Sequence, residues 1–319
     1  MKPPRIVITD HGFPNLDHER RIIGAAGAEL VVASCKSPEQ VIEAAAEADV
    51  LIVQWAPINA AVLRSLKHCR AIIRYGIGVD NVDLATAREL GIAVANVPDY
   101  CIDEVADHTV TLALALGRQL LATHQRLLGG QWKITPPATM PAFREMTFAV
   151  IGLGRIGRAV LHRAGGFGFR LVAHDPMQPA WMAAKSNAQP LALDETFKAA
   201  DILSLHLPLT SETRHLVSAE RLASMKRTAI IVNTSRGGLI DTVALAAALE
   251  KGQVGGAGLD VFEQEPLPAN HPLLSAPRTI LTSHTAWFSE ASVPRLQQLA
   301  AEEAVRALNG LPLLNVVNR

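Results

Sequence analysis

The segment Phe148-Ala-Val-Ile-Gly152-Leu-Gly154-Arg-Ile-Gly157 decides the fold of this chain. It places the pattern G-x-G-x-x-G directly after a short apolar strand and before a helical run. In this context the first glycine allows a tight turn, the second lets a pyrophosphate approach the backbone, and the third lets the helix pack on the strand. The N-terminus of that helix favours an anionic group. The segment therefore predicts a dinucleotide-binding βαβ unit.

An acidic residue after the next predicted strand supports this interpretation. The glycine pattern alone also occurs in ordinary tight turns. Here the strand Arg170–His174 follows the loop, and Asp175 stands eighteen residues after Gly157. A carboxylate at this place can accept hydrogen bonds from the ribose hydroxyls and repel a 2′-phosphate. Because Arg170 stands at the start of this strand instead of following the acid, we expect NAD to be preferred over NADP.

Short strands rich in apolar residues alternate with helical segments on both sides of this loop. Before the loop, the predicted strands are Arg5–Thr9, Leu30–Ala33, Val50–Val53, Ala71–Arg74 and Ala93–Ala95. From the loop onwards, they are Phe148–Ile151, Arg170–His174, Ile202–His206, Ala229–Asn233, Gly256–Asp260 and Thr279–Thr282. Such alternation is typical of parallel βαβ units with helices on both faces of a sheet. We therefore predict an α/β protein with two doubly wound parallel-sheet domains.

One long helical segment, from about Ile102 to Leu128, joins the two series of strands. Its middle, Thr109–Leu116, carries no charged residue, so we expect this part to be buried against another domain or subunit. A patch of prolines then interrupts the pattern: Pro136, Pro137 and Pro141.

The composition describes a neutral chain with enough apolar residues for a large core. Of its 319 residues 49% are apolar, and 30 Lys and Arg balance 30 Asp and Glu without a marked basic run. We therefore expect no nucleic-acid partner. Since no 18 consecutive apolar residues occur, we also expect no membrane span. The three cysteines lack C-x-x-C spacing, which predicts reduced thiols, a cytoplasmic location and no metal site.

Residues for carbonyl reduction can be sought at the carboxyl ends of the predicted strands, where doubly wound folds bind ligands. Reduction requires a proton donor beside the hydride acceptor and a cation for the negative charge of the substrate. His206, His284 and Arg236 occupy such positions. Three acids that could pair with a histidine follow another strand: Asp260, Glu263 and Glu265. On these grounds alone, the two histidines are nearly equal candidates for the acid.

Seven ordered blocks make the chain resemble the D-isomer-specific 2-hydroxyacid dehydrogenase family over nearly its whole length. Within that family, it looks closest to the branch of the C-terminal-binding protein corepressors and their bacterial relatives. The blocks are Arg74-Tyr-Gly76-Ile77-Gly78-Val-Asp80-Asn81-Val-Asp83, Asn96-Val-Pro98, Asp103-Glu-Val-Ala-Asp107-His108-Thr109, Gly152–Gly157, Asn233-Thr-Ser-Arg236-Gly-Gly, Asp260-Val-Phe-Glu-Gln-Glu265-Pro266 and His284-Thr-Ala286-Trp287.

The resemblance implies roles for individual residues. His284 matches the family's acid/base, Glu265 its carboxylate partner and Arg236 the substrate-binding cation, with Glu263 as the alternative partner. The implied substrate contacts are Arg74, Gly76, Ile77, Gly78, Arg236 and Trp287. The implied contacts with NAD are Thr109, Gly152, Leu153, Gly154, Arg155, Ile156, Gly157, Asp175, His206, Pro208, Thr213, Thr234, Ser235, Arg236, Asp260, His284 and Ala286.

Two positions depart from the pattern of the family. Ser283 stands where a proline usually precedes the histidine, and Ser235 stands where an alanine usually precedes the arginine. Both substitutions are small and neither removes a catalytic group. They leave the reaction intact and bear on the loop geometry, and so on substrate preference.

The resemblance also implies a domain order. Residues 1–98 plus 290–319 would form a discontinuous, flavodoxin-like substrate domain, and residues 99–289 a Rossmann cofactor domain, with the active site in the cleft between them. Family members typically form homodimers through the cofactor domain, which would cover the uncharged part of the long helix.

The leading hypothesis is an NAD-dependent oxidoreductase, a D-2-hydroxyacid dehydrogenase that also reduces small, anionic 2-oxo acids. One alternative is D-3-phosphoglycerate dehydrogenase, which would need cations for the phosphate. Another is an NAD(H)-sensing corepressor-like scaffold, an interpretation weakened by the intact set of Arg236, Glu265 and His284.

Overall fold

The computed structural model of the protein describes residues 3–136 and 138–319, so Met1, Lys2 and Pro137 of the predicted proline patch lie outside the described residues. The chain divides into two compact units, the first formed by Met1–Cys101 with Phe288–Arg319 and the second by Ile102–Trp287. The predicted boundaries, 1–98 with 290–319 and 99–289, differ from these by at most three residues. That each unit is a functional domain stays a prediction.

The first unit is built on a parallel sheet with the strand order β2-β1-β3-β4-β5. Its strands are β1 (Arg5–Ile8), β2 (Glu29–Val32), β3 (Val50–Val53), β4 (Ala71–Arg74) and β5 (Ala93–Ala95). Its first helices are α1 (Asp17–Ala25), α2 (Pro38–Ala45), α3 (Ala60–Ser65) and α4 (Leu84–Glu89). Every residue of β3 is buried, as expected for a central strand covered by helices on both faces. This strand order is that of flavodoxin-like folds.

The second unit is built on a larger parallel sheet with the order β12-β11-β10-β9-β6-β7-β8. Its strands are β6 (Thr147–Ile151), β7 (Arg170–His174), β8 (Gln189–Pro190), β9 (Ile202–Leu205), β10 (Ile230–Asn233), β11 (Gly256–Leu259) and β12 (Thr279–Leu281). Its helices are α5 (Ile102–Gly117), α6 (Leu120–Leu128), α7 (Arg155–Gly165), α8 (Ala180–Lys185), α9 (Leu193–Ala199), α10 (Ala219–Ser224) and α11 (Thr242–Glu250). Counted within the unit, the order is 3-2-1-4-5-6 with one more strand at the edge, the order of a dinucleotide-binding fold.

The two sheets confirm the predicted α/β class and the doubly wound parallel architecture. All eleven predicted strands are present, with boundaries shifted by no more than one residue. The short edge strand β8 was not predicted, because its two residues, Gln189 and Pro190, are exposed and give no apolar pattern.

The long connecting helix is two helices, and its uncharged middle is buried inside its own unit. Gln119 adopts a left-handed conformation with φ of 52°, which ends α5 and begins α6. The side chains of Leu112 and Leu116 pack against Gly258 of β11, where a methyl group would lie 3.0 Å from Cβ of Leu112. The expectation that Thr109–Leu116 packs on another domain or subunit was therefore wrong, because the sheet of the same unit covers it.

The last helix, α12 (Ser292–Leu308), belongs to the first unit and packs on α1. A buried polar cluster joins the two helices to the end of β4. Glu19 accepts a hydrogen bond from the hydroxyl of Tyr75 at 2.7 Å and one from Nε2 of Gln297 at 3.2 Å. Because the hydroxyl is buried beside a carboxylate, the pKa of Tyr75 lies well above its ordinary value.

Across the described residues, none of the helices is both long and apolar enough to cross a membrane.

Candidate active site

The carboxyl ends of the second unit's strands meet at one edge of the sheet, because all of them run in the same direction. The predicted cofactor and catalytic residues follow six neighbouring strands at this edge. The residues that directly follow β6, β7, β9, β10 and β11 are Gly152, Asp175, His206, Thr234 and Asp260. His284 is the third residue after β12. A ligand at this edge can thus be bound by residues that are far apart in the sequence.

The loop between β6 and α7 depends for its shape on its glycines, which carry no side chains. Gly152 has φ of 100°, a conformation that glycine adopts readily, and its N–H donates to the carbonyl of His174 at 2.8 Å. A Cβ at Gly157 would overlap the carbonyl oxygen of Gly152, whereas a Cβ at Gly154 would meet no described atom within 4 Å. The loop is therefore a backbone cradle at the N-terminus of α7, open at Gly154, and it fits a pyrophosphate.

Asp175 holds this loop from the end of β7. One carboxylate oxygen accepts the N–H of Leu153 at 2.7 Å, and the other accepts the N–H of Met177 at 2.8 Å. Each carboxylate oxygen has a second lone pair. Asp175 can therefore shape the loop and still accept a hydrogen bond from a ribose hydroxyl.

His206 is neutral in this site. Its Nε2 lies 2.8 Å from Oγ of Ser204, and burial lowers the pKa of the ring to about 3. A ring that stays uncharged at neutral pH cannot supply the proton for a reduction. Nearby, the hydroxyl of Thr213 donates to the carbonyl of Pro208 at 2.7 Å, which closes the turn after His206.

The turn after β10 carries Thr234, Ser235 and Arg236. The hydroxyl of Thr234 lies 2.7 Å from that of Thr109 on α5, and both residues are buried. The hydroxyl of Ser235 donates to the carbonyl of Leu205 at 3.0 Å, which ties this turn to β9. Arg236 donates from Nη1 to the carbonyl of Ser235 at 2.6 Å. The small hydroxyl side chain of Ser235 is therefore used to fix the turn that presents the arginine.

Asp260 organises the segment that carries His284. Its side chain is buried, and its oxygens accept hydrogen bonds from the hydroxyl of Thr282 at 2.5 Å and from the N–H groups of Thr285 and Ala286 at 2.9 Å each. Its carbonyl also accepts the N–H of His284 at 2.7 Å. The carboxylate of Asp260 thus holds the loop after β12, and the predicted contact of Asp260 with the cofactor stays a prediction.

His284 and Glu265 form a direct pair at this edge. Nδ1 of His284 lies 2.7 Å from Oε2 of Glu265, while Oε1 of Glu265 accepts the N–H of Phe262 at 2.9 Å. Burial opposes ionisation of Glu265, but the hydrogen bond and charge of His284, together with the Phe262 N–H and Arg236, hold the pKa of the carboxyl below its ordinary value. The pair thus orients the imidazole, with Nδ1 on Glu265 and the other ring nitrogen, Nε2, left for a substrate.

His284 is held by three of its own polar groups. Its backbone adopts φ of 55°, a left-handed conformation that is uncommon for a residue other than glycine. Its N–H donates to Asp260, its Nδ1 faces Glu265, and its carbonyl accepts from Nε1 of Trp287 at 2.8 Å. Over residues 3–136 and 138–319, Nε2 of His284 makes no hydrogen bond, so it is the ring nitrogen available to a substrate.

Glu263 lies in a different cluster from the histidine pair. Its carboxylate is 2.6 Å from Nε2 of His215 and accepts the hydroxyl of Thr242 at 2.8 Å. Burial opposes ionisation, and these hydrogen bonds more than compensate, so the pKa of Glu263 lies below its ordinary value. Of the two candidate partners, Glu265 is the one that contacts His284.

Sequence reasoning did not identify two residues beside Asp260. Nε2 of His108 on α5 lies 3.0 Å from the hydroxyl of Thr282, which in turn donates to Asp260. His108 belongs to the block Asp103–Thr109, which resembles the family, but no residue pattern links it to a strand that begins some 170 residues later. Among the described residues, no cluster of three or more His, Cys, Asp or Glu could hold a metal ion.

The predicted substrate-binding loop lies in the first unit, after β4. Gly76 has φ of 129°, and its carbonyl accepts the N–H of Val97 at 3.0 Å. Nδ2 of Asn96 donates to the carbonyl of Ile77 at 2.6 Å, and Nη1 of Arg74 donates to the carbonyl of Tyr75. These bonds fix the loop Gly76–Gly78 with the Arg74 side chain folded against it.

Comparison with known proteins shows what the chain resembles. A family model described as D-isomer specific 2-hydroxyacid dehydrogenase, NAD binding domain, matches residues 110–286. A glyoxylate reductase of Korarchaeum cryptofilum is 36% identical over 287 residues, which cover 89% of this chain and 86% of that protein. A D-3-phosphoglycerate dehydrogenase of Methanocaldococcus jannaschii is 37% identical over 98% of this chain, which spans only 59% of that protein.

A solved structure agrees with these matches. The crystal structure of a glyoxylate reductase from Paecilomyes thermophila superposes with a TM-score of 0.89, covers 99% of each chain and is 27% identical in sequence. The similarity extends over both units of the chain. The narrower placement in the corepressor-like branch stays a prediction.

Variants of Gly157, which is buried, and Gly154, which is exposed, separate folding from cofactor binding. Gly157→Ala is expected to lower the free energy of unfolding by about 1–3 kcal/mol, because the new methyl group overlaps backbone. Gly154→Ala has space within the protein and an extended backbone, so it is expected to keep the thermal stability but weaken NADH binding about tenfold or more. Calorimetric titration with NADH and thermal unfolding measure the two effects. If Gly154→Ala bound NADH as tightly as the unmodified protein does, the backbone at Gly154 would not be the pyrophosphate-binding site.

Proposed function

The chain belongs to the D-isomer-specific 2-hydroxyacid dehydrogenase family, and we propose that Arg236, Glu265 and His284 carry out its reaction on a small 2-oxo acid. It is an NAD-dependent oxidoreductase, in which the nicotinamide supplies or accepts the hydride at C2 of the acid. The observation that carries the assignment of residues is the 2.7 Å contact between Nδ1 of His284 and Oε2 of Glu265. Because Nδ1 is bound to Glu265, Nε2 is the ring nitrogen that can exchange a proton with the substrate.

In the reductive direction, His284 is the general acid. Its protonated ring donates from Nδ1 to Glu265 and gives the proton on Nε2 to the 2-oxo oxygen, which becomes the hydroxyl. Glu265 stays ionised at neutral pH, since its pKa is held below the ordinary value, and it therefore accepts the proton-bearing Nδ1 of the ring. In the oxidative direction, the neutral ring takes the proton back as a general base.

Arg236 binds the substrate in this proposal. Its planar guanidinium can make two parallel hydrogen bonds to a carboxylate and to the neighbouring carbonyl oxygen. Positive charge beside that oxygen also stabilises the negative charge that develops on it. The roles of Arg74, Gly76–Gly78 and Trp287 in binding the same acid are proposed from the resemblance.

The cofactor contacts are also a proposal. The open backbone at Gly154 and the N-terminus of α7 support pyrophosphate binding, and the free lone pairs of Asp175 support binding of the ribose. Asp260 supports it indirectly, by holding the loop of Thr285 and Ala286.

D-3-phosphoglycerate is the second candidate substrate, favoured by the 37% identity with the Methanocaldococcus jannaschii dehydrogenase. We prefer a small 2-oxo acid such as glyoxylate, because the glyoxylate reductase of Korarchaeum cryptofilum matches over 86% of its own length. A sensor without turnover is the third hypothesis.

A panel of acids tests these hypotheses. We expect NADH oxidation with glyoxylate, pyruvate or hydroxypyruvate, and a loss of kcat of about 100-fold or more in His284→Ala, since general acid catalysis contributes about 10²–10⁴-fold. His162→Ala, at an exposed histidine on α7, is the matched control and should keep full activity. Turnover of 3-phosphohydroxypyruvate alone would favour the second candidate. NADH binding without turnover of any acid would contradict the enzyme mechanism and favour the hypothesis of an NAD(H) sensor.

Asp175 is expected to set the preference for NADH. Asp175→Ala removes the carboxylate that repels a 2′-phosphate, so the ratio of kcat/KM with NADH to that with NADPH should fall about tenfold or more. Asp175→Asn, which keeps one acceptor for the loop, separates the charge from the contact with Leu153. The measurement is steady-state kinetics with both cofactors. A ratio that stays the same in both variants would show that another residue sets it.

We further propose that a second copy of the chain covers an exposed apolar face on α6. Leu121 and Leu128 are 49% and 68% exposed there, and Leu121 and Ala122 line a groove of about 410 Å³. Exposed apolar side chains on one helix face, beside an apolar groove, are consistent with an interaction site. The cytoplasmic location stays a prediction, for which cell fractionation is the test.

The dimer is tested by light scattering after gel filtration. The unmodified chain should have the mass of two copies, and the double variant Leu121→Glu, Leu128→Glu the mass of one, because charges cannot be buried in an apolar interface. Leu274→Glu, at a 53% exposed leucine of the same unit, should remain a dimer. An unmodified chain with the mass of a single copy would rule the proposal out.

A further inference from the structure

Glu263 lies at the centre of a hydrogen-bond cluster that takes no part in the mechanism above. Its Oε1 is 2.6 Å from Nε2 of His215, and its Oε2 accepts the hydroxyl of Thr242 at 2.8 Å and the N–H of Thr242 at 3.2 Å. Nη2 of Arg214 lies 3.7 Å from the same carboxylate. The hydroxyl of Thr242 also lies 3.3 Å from Nε2 of His271. A side chain on the loop after β11 is thus bound by the segment before α10 and by the first residue of α11.

This cluster fixes the loop that carries Glu265. Glu263 is followed two residues later by Glu265, and between Phe262 and Glu265 a hydrogen bond of 2.9 Å closes the loop on itself. The carboxylate of Glu265 therefore has one oxygen on its own loop and the other on His284. Its position depends on where the loop is held, and Glu263 supplies the side-chain contacts that hold it.

The same cluster reaches the segment that carries Arg236. The N–H of His215 donates to the carbonyl of Gly238 at 2.8 Å, while the ring of His215 binds Glu263. In addition, Gly237 lies so close to the backbone of Phe262 and Glu263 that a Cβ would overlap it. His215 is itself in the left-handed region, with φ of 52°. His215 thus binds the segment that carries Arg236 through its backbone N–H, and the loop that carries Glu263 and Glu265 through its ring.

We propose that Glu263 and His215 are positioning residues that fix the distance between Arg236 and Glu265, and thereby the orientation of His284, without touching the substrate. This inference rests on the proposed function, in which those three residues act on one substrate. Misplacement of a reacting group by about 1 Å can cost about 100-fold in rate. The pair is therefore expected to affect the chemical step more than the binding of the cofactor.

The first test replaces the carboxylate and measures kcat, KM and NADH affinity separately with glyoxylate. Glu263→Ala is expected to lower kcat about 10–100-fold and to leave the dissociation constant of NADH within about twofold. Glu263→Gln keeps an acceptor for His215 and should recover much of the lost kcat. The matched control is Asp201→Asn, because Asp201 also accepts a backbone N–H at 2.7 Å and a cationic side chain at 2.9 Å, but at the opposite edge of the sheet. It should keep kcat.

The second test is a double-mutant cycle. His215→Asn is suited to the left-handed backbone but is too short to reach Glu263 in the same way. If the two side chains act as one bridge, the kcat of the double variant His215→Asn, Glu263→Ala should be no lower than that of the worse single variant. Multiplying losses would overturn the proposal, and so would a kcat in Glu263→Ala no lower than in Asp201→Asn. A wild-type chain without turnover of any 2-oxo acid would instead refute the proposed function on which the inference rests.

Discussion

The parallel alignment of the strands in the second unit is the constraint on which the candidate site depends. Gly152 and His284 are 132 residues apart, yet both follow strands that end at the same edge of one sheet. Side chains and backbone groups that leave a strand there are no longer paired within the sheet. They are therefore available to bind one another or a ligand, which is why so many hydrogen bonds between distant segments are concentrated at this edge.

Asp260 fixes the conformation of the loop after β12 at this edge of the sheet. Its buried carboxylate accepts hydrogen bonds from Thr282, Thr285 and Ala286, and a buried carboxylate without such donors would be strongly unfavourable. The same bonds hold His284 in a left-handed conformation, which costs about 1–3 kcal/mol for a residue other than glycine. The hydrogen bonds around the loop offset this cost, and in this conformation Nδ1 of the ring lies 2.7 Å from Glu265.

The sequence predicted the elements of this arrangement better than the contacts between them. Apolar runs such as Val50–Val53 and the glycines after Ile151 have local physical reasons, so the strands and the loop could be placed to within one residue. The break at Gln119 could not, because it depends on a single left-handed residue inside an otherwise helical pattern. The burial of Leu112 against Gly258 was also missed, since small residues on a distant strand give no signal in the helix itself.

The two glutamates after β11 show the same limit within the site. Glu263 and Glu265 are two residues apart and chemically identical, so composition and spacing could not tell which of them faces His284. The difference comes from the donors on either side: Thr242 and His215 for Glu263, and Phe262 and His284 for Glu265. Each carboxylate is thereby bonded, and so are the backbone groups and Nδ1 of His284. Among the described residues, Nε2 of His284 makes no hydrogen bond, and this is why the proposed mechanism places proton transfer at that atom.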